Sequence, residues 1–499
     1  RREEAQPLRS PARSFEVCLD DLLGESEGVQ TDRVHQACCT LVSLEHRLAE
    51  GEEVDLEDTC TGPARSGRRS TAIASLKTHD TPPPSRAGEA RDGEEGTGRG
   101  RVGFATSSSS VGSGASSAGS EVSSGSEAPE DLPDMRRHHS LLAAVLEQRP
   151  SAYARLRDKR TALGVSLGRC IKPGLAVLGH PLIKTVGLVA GDAESYSLFW
   201  EVFEPVVTVL HRGWRPEALQ PCSLDPARAS GLPPVAGARV LRARVSVRRN
   251  LEGLRFSPAA STEERLQAEQ LLRRAVERLP DPVGGGLEGE YHSIEGRLAP
   301  ELQAELRREG LLLEESDTLL AHAEGTCRGW PQARGIFASR THELVAWINE
   351  EQHLRLWSTD RAGDLGAAFR RLCLATEAVH SSLQEDGHSF ARTPTLGYLT
   401  ACPSHLGTAM RAEIRVRLPR LGAEQGFRLL CARLGLRAVP VACEGDAWDF
   451  LSTETLGVGE AEQVGAVLEA VRLLLQLEEQ LEQGKKVDLA SVKGSGGAG

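Results

Sequence analysis

The chain has 499 residues, with 59 basic against 70 acidic side chains and a formal net charge of −11. The length allows about two to four domains, and the acidic balance argues against a nucleic-acid binder, whose phosphate contacts need a basic face. Hydrophobic residues make up 39% and aromatic residues 4%, so part of the chain is expected to lie outside any folded core.

No apolar run approaches the ~18 residues of a membrane-spanning helix. The N-terminal RREEAQPLRS carries no apolar segment for a secretory signal, and it lacks an initiator Met, as expected of a fragment or a processed form. The 11 cysteines include no CxxC and no zinc-spaced Cys/His cluster. An odd count without a signal peptide predicts reduced thiols in the cytosol.

Residues 59–134 are predicted to be a disordered linker: THDTPPPSRAGEARDGEEGTGRGR is followed by Ser107 to Ser126, where 20 residues hold 11 serines and 4 glycines, too little apolar area to offset chain entropy. The spacing then predicts helices over 140–157, 263–279 and 363–387, the second capped by Ser261 or Thr262 and the third ending at Gly387. Between them ARVLRARVSV, ELVAWIN, HLRLWS, LGYLTACP and EIRVRLPRL read as strands. The alternation Ile414-Arg415-Val416-Arg417-Leu418 fits antiparallel pairing with one polar face. The fold class is α+β.

Residues 14–56 repeat residues 447–489 at a constant offset of 433. Leu23-Gly24 matches Leu456-Gly457, and Val34, Ala37, Leu41, Leu44 and Leu48 match Val467, Ala470, Leu474, Leu477 and Leu481. Val54-Asp55-Leu56 matches Val487-Asp488-Leu489. The shared apolar positions form one helix stripe. Residues 1–58 therefore read as the tail of a preceding copy of the same module.

Three segments carry chemistry. Asn349-Glu350-Glu351-Gln352-His353-Leu354-Arg355 sets two carboxylates and an arginine at a strand end. Cys402-Pro403-Ser404, followed by Gly407-Thr408 and Arg411, suits a thiol in a polar turn, where hydroxyls and cations can lower its pKa. Arg242, Arg244, Arg248, Arg249, Arg355, Arg411 and Arg437 supply guanidinium forks for a polyphosphate. With no P-loop, any nucleotide would be held by arginines rather than by a glycine cradle.

Together with Gly179-His180-Pro181, TVGLVAGDAESY (185–196), WPQARGIF (330–337) and the C-terminal EQVGAVLEAVRLLLQLEEQLEQGKKVDL, these segments resemble the phosphagen kinases, the ATP:guanidino phosphotransferases, and their creatine kinase branch most closely, over about residues 137–493. The resemblance implies a small all-helical domain (135–232) before a larger catalytic domain of the glutamine synthetase/guanidino kinase type (233–493), with 494–499 as a tail. It implies reversible transfer of the γ-phosphoryl of MgATP to a guanidino nitrogen, creatine first, with Mg²⁺ held through the phosphates and waters and not by a protein cage. By the same resemblance Glu351 orients the guanidinium and accepts its proton, Cys402 is a reactive thiolate tuned by Ser404, and Val186 contacts the substrate methyl. Arg244, Arg355, Arg411 and Arg437 clamp phosphates, and Asp449 lies near the nucleotide. A cytoplasmic or flagellar setting and a homodimer or tandem pairing of modules are implied in the same way.

Five departures leave a second reading open, a catalytically impaired module kept for binding or scaffolding. Where the family reads SSRVRTGR this chain reads RARVSVRR, which puts Ser246 at a phosphate-arginine position and leaves Arg248 or Arg249 as a replacement according to strand phase. Gly310 and Arg415 stand at histidine positions, Gln352 replaces an acid, and the loop after Arg437 is shortened to AVPVACEGDA.

Overall fold

The computed structural model describes residues 128–492, apart from residues 182, 223, 226, 227, 229–237, 281–286, 297, 442 and 443. The earlier repeat copy at 14–56, the tail at 494–499 and nearly all of the expected linker lie outside the described residues. Residues 128–134, which composition assigns to the linker, lie against the first domain: the Tyr153 hydroxyl donates to the Pro129 carbonyl, and Leu132 packs on that domain's core.

The first domain is helical: α1 (Leu141–Gln148), α2 (Pro150–Leu156), α3 (Leu167–Ala176), the single turn α4 (Ser195–Leu198) and α5 (Trp200–Leu210). The one helix expected over 140–157 is therefore two. Pro150 has no N–H to continue the first, and it opens the second at N1, where that N–H is not needed; Arg149 between them is non-helical at φ −129°, ψ 56°. The core of this domain, with Leu142, Leu146, Phe199, Phe203 and Val206, is completed by Leu399, Ala401 and Leu406 from far along the chain.

The larger part comprises β1 (Val240–Arg249), α6 (Thr262–Glu277), β2 (Gly289–Ser293), α7 (Pro300–Arg308), α8 (Leu319–Glu324), β3 (Gly335–Ser339), β4 (Leu344–Ile348), β5 (Leu354–Asp360), α9 (Leu365–Glu385), β6 (Arg392–Thr393), β7 (Gly397–Tyr398), β8 (Met410–Arg417), α10 (Phe427–Arg433), β9 (Leu436–Pro440), β10 (Ala447–Ser452) and α11 (Glu460–Glu482). Eight of its strands form one antiparallel sheet in the order β2-β3-β4-β5-β1-β8-β10-β9. The α+β architecture holds: a small helical domain, then an antiparallel sheet with packed helices. Ser261 caps α6 through a full capping box, its hydroxyl accepting the Glu264 N–H while the Glu264 carboxylate accepts the Ser261 N–H at 2.8 Å.

Strand alternation separates the sheet's two faces. Ala243, Val245, Val247, Leu354, Leu356, Met410, Ala412 and Ile414 face α6, α9 and α11 and form the main core. The other face carries Arg242, Arg244, Ser246 and Arg248 on β1, and Arg411, Glu413 and Arg415 on β8. It is polar yet largely covered, with Arg244, Ser246 and Arg248 all buried.

LGYLTACP is not the expected strand. Only Gly397–Tyr398 pairs, with Arg392–Thr393. Its later backbone is claimed by the helical domain: the carbonyls of Thr400, Ala401 and Pro403 accept from the Tyr196 hydroxyl (2.8 Å), the Ala190 N–H (2.7 Å) and His211 Nε2 (2.8 Å). Gly407 closes this turn with φ +93°, and a Cβ there would lie 2.0 Å from the Thr455 carbonyl oxygen. Gly407→Ala is expected to cost more than about 2 kcal/mol of stability, from left-handed backbone and backbone collision together. Urea unfolding monitored by circular dichroism will measure it.

Candidate active site

The site begins at the turn between β4 and β5. Asn349 takes φ +57° to start it, a conformation asparagine tolerates better than most residues. Its buried amide donates to the Arg265 and Ala333 carbonyls, both at 2.7 Å. His353 ends the turn: its Nδ1 accepts the Leu251 N–H at 3.0 Å and its Nε2 donates to the Arg255 carbonyl. Burial holds this imidazole neutral, with its pKa lowered to about 4.

Gln352 lies between these two residues and is 1% exposed. Its Oε1 accepts from Asn250 Nδ2 at 2.6 Å and from the Ala401 N–H at 2.9 Å, and Asn250 Oδ1 accepts the His353 N–H at 3.0 Å. One amide oxygen therefore joins the end of β1, the β4–β5 turn and the thiol turn. The residue that stands for a family acid is a bracket between segments.

That bracket brings Glu351 and Cys402 together. Cys402 Sγ lies 3.0 Å from Ser404 Oγ. Burial, reinforced by the Glu351 carboxylate, pushes the thiol up to about 12, against the downward pull of the Ser404 hydroxyl. The hydroxyl's effect is outweighed. Glu350, which the sequence reading left without a role, has a buried Oε2 with no hydrogen-bond partner among the described residues.

The arginines divide along the polar face. Across the strands, Arg242 lies opposite Arg415, Arg244 opposite Glu413 and Thr359, Ser246 opposite Arg411 and Trp357, and Arg248 opposite Arg355. At the first end, acids of the protein meet the cations. Arg415 grips Asp449 through two bonds, of 2.8 and 2.7 Å, and Arg242 reaches Glu413 at 2.5 Å. Arg244 donates to Thr359 Oγ1 and to the Glu309 carbonyl, with the Glu309 carboxylate 3.8 Å away. Burial lowers the Arg244 pKa to about 10. Burial opposes ionisation of Glu413, but Arg242, Arg244 and Arg415 hold it below the usual carboxylate range. Arg248, Arg355 and Arg411 lie toward the other end. There the Arg355 guanidinium lies over the Trp357 ring at 4.5 Å.

Arg355 follows Glu351 by four residues, on β5, and Arg411 lies on β8 opposite Ser246. Arg244 sits one strand repeat further back. Arg437 is on β9, three strands from β1 and about 14 Å across the sheet. Asp449 is occupied by Arg415, the residue at the expected histidine position. Val186 packs against the helical core, with its carbonyl accepting the Leu142 N–H at 3.1 Å. Gly310 is a helix stop: it follows α7 at φ +65°, its N–H donates to the Arg307 carbonyl, and the Leu311 N–H donates to the Leu306 carbonyl at 2.7 Å. That is a Schellman closure, which a histidine at a left-handed position would strain.

Residues 269–481 match the family described as ATP:guanido phosphotransferase, C-terminal catalytic domain, and residues 136–208 match the corresponding N-terminal domain. The chain is 35% identical over 366 residues to the M-type creatine kinase of Gallus gallus, covering 72% of this chain and 94% of that one. The chain belongs to the ATP:guanidino phosphotransferase family. The M-type creatine kinase of Oryctolagus cuniculus is 34% identical over 364 residues, covering 72% of this chain and 94% of that one. Among solved structures, lombricine kinase is similar with a TM-score of 0.67 at 30% identity, covering 72% of this chain and 98% of that one. A duplicated taurocyamine kinase from Schistosoma mansoni gives 0.62 at 27%, over 70% of this chain and 48% of its own. The family is therefore one of phosphagen kinases, and the helical domain and sheet described above are its two parts.

Two measurements test the site's construction. Gln352→Leu leaves the Ala401 N–H without its acceptor and removes one acceptor from the Asn250 amide, and should cost about 2–4 kcal/mol in urea unfolding. Alkylation of Cys402 by iodoacetamide, followed by peptide mass spectrometry, should keep rising above pH 10 in the substrate-free protein. Only the thiolate reacts, so Glu351→Gln should speed the reaction several-fold at fixed pH and Ser404→Ala should slow it. A plateau near neutral pH would contradict the high thiol pKa.

Proposed function

We propose that the chain catalyses reversible transfer of the γ-phosphoryl of MgATP to a guanidino nitrogen, with creatine as the first substrate to test. The observation that carries this reading is the Glu351 carboxylate acting on the Cys402 thiol, with a further buried acceptor, Glu350 Oε2, on the same β4–β5 turn. A guanidinium only donates hydrogen bonds, and this is a site of acceptors. The similarity to M-type creatine kinases favours creatine. The similarity to lombricine and taurocyamine kinases makes their guanidino substrates the comparison set.

In this reading Glu351 orients the guanidinium and takes the proton that the attacking nitrogen sheds as its bond to phosphorus forms and the bond from phosphorus to the ADP oxygen breaks. Arg355 and Arg411 hold the phosphates, and Arg244 adds charge from one row behind. The residues fit a polyphosphate: a sheet face rich in guanidiniums suits spread negative charge, and most of the catalysis is positioning and neutralisation. Magnesium enters with the nucleotide and supplies bridging of its phosphate oxygens. Cys402 lies in the turn that contacts the guanidino group, and a bound cation there would offset the Glu351 charge that keeps the thiol protonated. The six cysteines among the described residues are free thiols, which suits a cytosolic setting.

A coupled assay with MgATP and creatine, taurocyamine or lombricine tests the reading. Turnover should be measurable with at least one of them, and Glu351→Gln should lower kcat about 10²- to 10³-fold while MgADP affinity by calorimetry changes less than about twofold. No turnover with any of the three, in a folded protein that binds MgADP, would leave the chain a binding module.

A further inference from the structure

We propose that Trp357 is a positioning residue for nucleotide binding: with Trp347 it holds the flat face of the Arg355 guanidinium and so fixes the direction in which that group meets the phosphates. This rests on the phosphoryl-transfer reading above, in which Arg355 holds the phosphates, and adds to it two aromatic side chains that the reading does not use.

Register brings the three side chains together. Trp357 follows Arg355 by two residues on β5, so both project from the same face of the sheet. Trp347 lies directly opposite Arg355 on β4, where Cβ atoms start about 4.5–5.5 Å apart. Arg355 therefore has one indole beside it along its own strand and another across the strand. Its guanidinium carbon lies over the Trp357 ring at 4.5 Å and over the Trp347 ring at 5.6 Å. The two rings meet edge to face, with centroids 4.3 Å apart and planes at 64°. All three residues are buried.

The rings are fixed in turn by α7. The Trp347 Nε1–H donates to the Leu311 carbonyl at 2.8 Å, just past the helix stop at Gly310. Both indoles belong to the apolar cluster that Leu306 and Leu311 form with Ile336 and Val345 on this face. The carbonyls on either side of Gly310 thus serve two arginines. That of Glu309 accepts from Arg244 at 2.9 Å, and that of Leu311 sets the indole against Arg355. On β1 the residue directly across from Trp357 is Ser246, a small side chain beside a bulky one.

The mode of holding suits a phosphate arginine. A desolvated cation over an indole is attracted by the ring quadrupole. The contact takes the flat face of the guanidinium and none of its in-plane N–H donors, and it sets no negative charge beside the cation. Arg415 shows the alternative on the same sheet face, where the Asp449 carboxylate takes two of its N–H groups. An arginine that binds phosphate uses both its charge and its donors, and stacking on a ring preserves both. A lysine would not serve at position 355, because an ammonium has no flat face to stack.

The test is calorimetric titration of the full chain with MgADP. Trp357→Leu should weaken binding about 5- to 20-fold, and Trp357→Phe, which restores an aromatic face, should bind within about threefold of the natural chain. In an Arg355→Met background, where the cation is gone, Trp357→Leu should change the affinity less than about twofold. Equal weakening in both backgrounds, the mark of a merely structural indole, overturns the proposal, as does a folded Trp357→Leu that binds like the natural chain. If Trp357→Leu does not fold, fluorine magnetic resonance of the fluorotryptophan-labelled chain decides. The Trp357 signal, assigned by its loss in Trp357→Phe, should move on saturation with MgADP, and an unmoved signal overturns the proposal. Arg355→Met binding MgADP as tightly as the natural chain overturns it too, and leaves phosphoryl transfer standing. A natural chain that binds no MgADP overturns the phosphoryl-transfer reading itself.

Discussion

The amide oxygen of Gln352 is the constraint on which the site depends. The carboxylates, the thiol and the arginines come from chain segments with no direct covalent relation: the β4–β5 turn, the turn at Cys402 and the end of β1. A buried acceptor taking hydrogen bonds from both Asn250 and Ala401 ties all three, alongside Asn250 Oδ1 accepting the His353 N–H, Asn250 Nδ2 donating to the Leu399 carbonyl and His353 Nδ1 accepting the Leu251 N–H. A neutral amide suits that place, because a third carboxylate beside Glu350 and Glu351 would raise the cost of ionising each of them. Gln352 in place of an acid therefore removes a charge from this turn and leaves Glu350 and Glu351 as its carboxylates.

The same economy governs the cations. Six arginines on one sheet face would repel strongly, and burial together with the Arg242 charge lowers the Arg244 pKa to about 10. The structure resolves this by division. Arg242, Arg244 and Arg415 meet Glu413, Asp449 and Glu309, so that end is close to neutral without a ligand. Arg248, Arg355 and Arg411 lie toward the other end, with Arg248 opposite Arg355 and Ser246 opposite Arg411.

The frame of this arrangement was legible in the sequence, and its contacts were not. The capping box at Ser261 and the alternation of Ile414, Val416 and Leu418 with arginines are local signals, and they gave a helix start and a strand that the structure contains. Pro150 was an equally local signal, overlooked because apolar spacing continues across it. LGYLTACP misled for a different reason. Its composition is that of a strand, but its carbonyls are taken by Tyr196, Ala190 and His211 from a domain about 200 residues earlier, a competition no local pattern records. Gln352 and Asn250 were invisible for the same reason: a buried polar bracket is defined by partners that only the fold supplies. The phase of Arg248 against Arg249 could be read in principle by extending the alternation Arg244, Ser246, Arg248, once the strand was known to run unbroken to Arg249.

The departures from the family pattern look like damage only when each position is taken alone. Gly310 removes a side chain but completes a helix stop with Leu306 and Leu311. Arg415 replaces a histidine but finds Asp449 across the strand, so the acid is held by the protein instead of standing unpaired on a buried face. Ser246 lacks a guanidinium, and Arg248 carries one on the same face of β1 two residues later. Each loss is met within one or two strand positions by a group of matching charge or a matching backbone need. A sheet face permits this because side chains at i and i+2 point the same way and neighbouring strands are about 5 Å apart: a cation can step along a strand or across to the next and still reach the same anion. Position 351 allows no such step: it lies on the short β4–β5 turn with its carboxylate acting on Cys402, and both of these residue types of the pattern are kept.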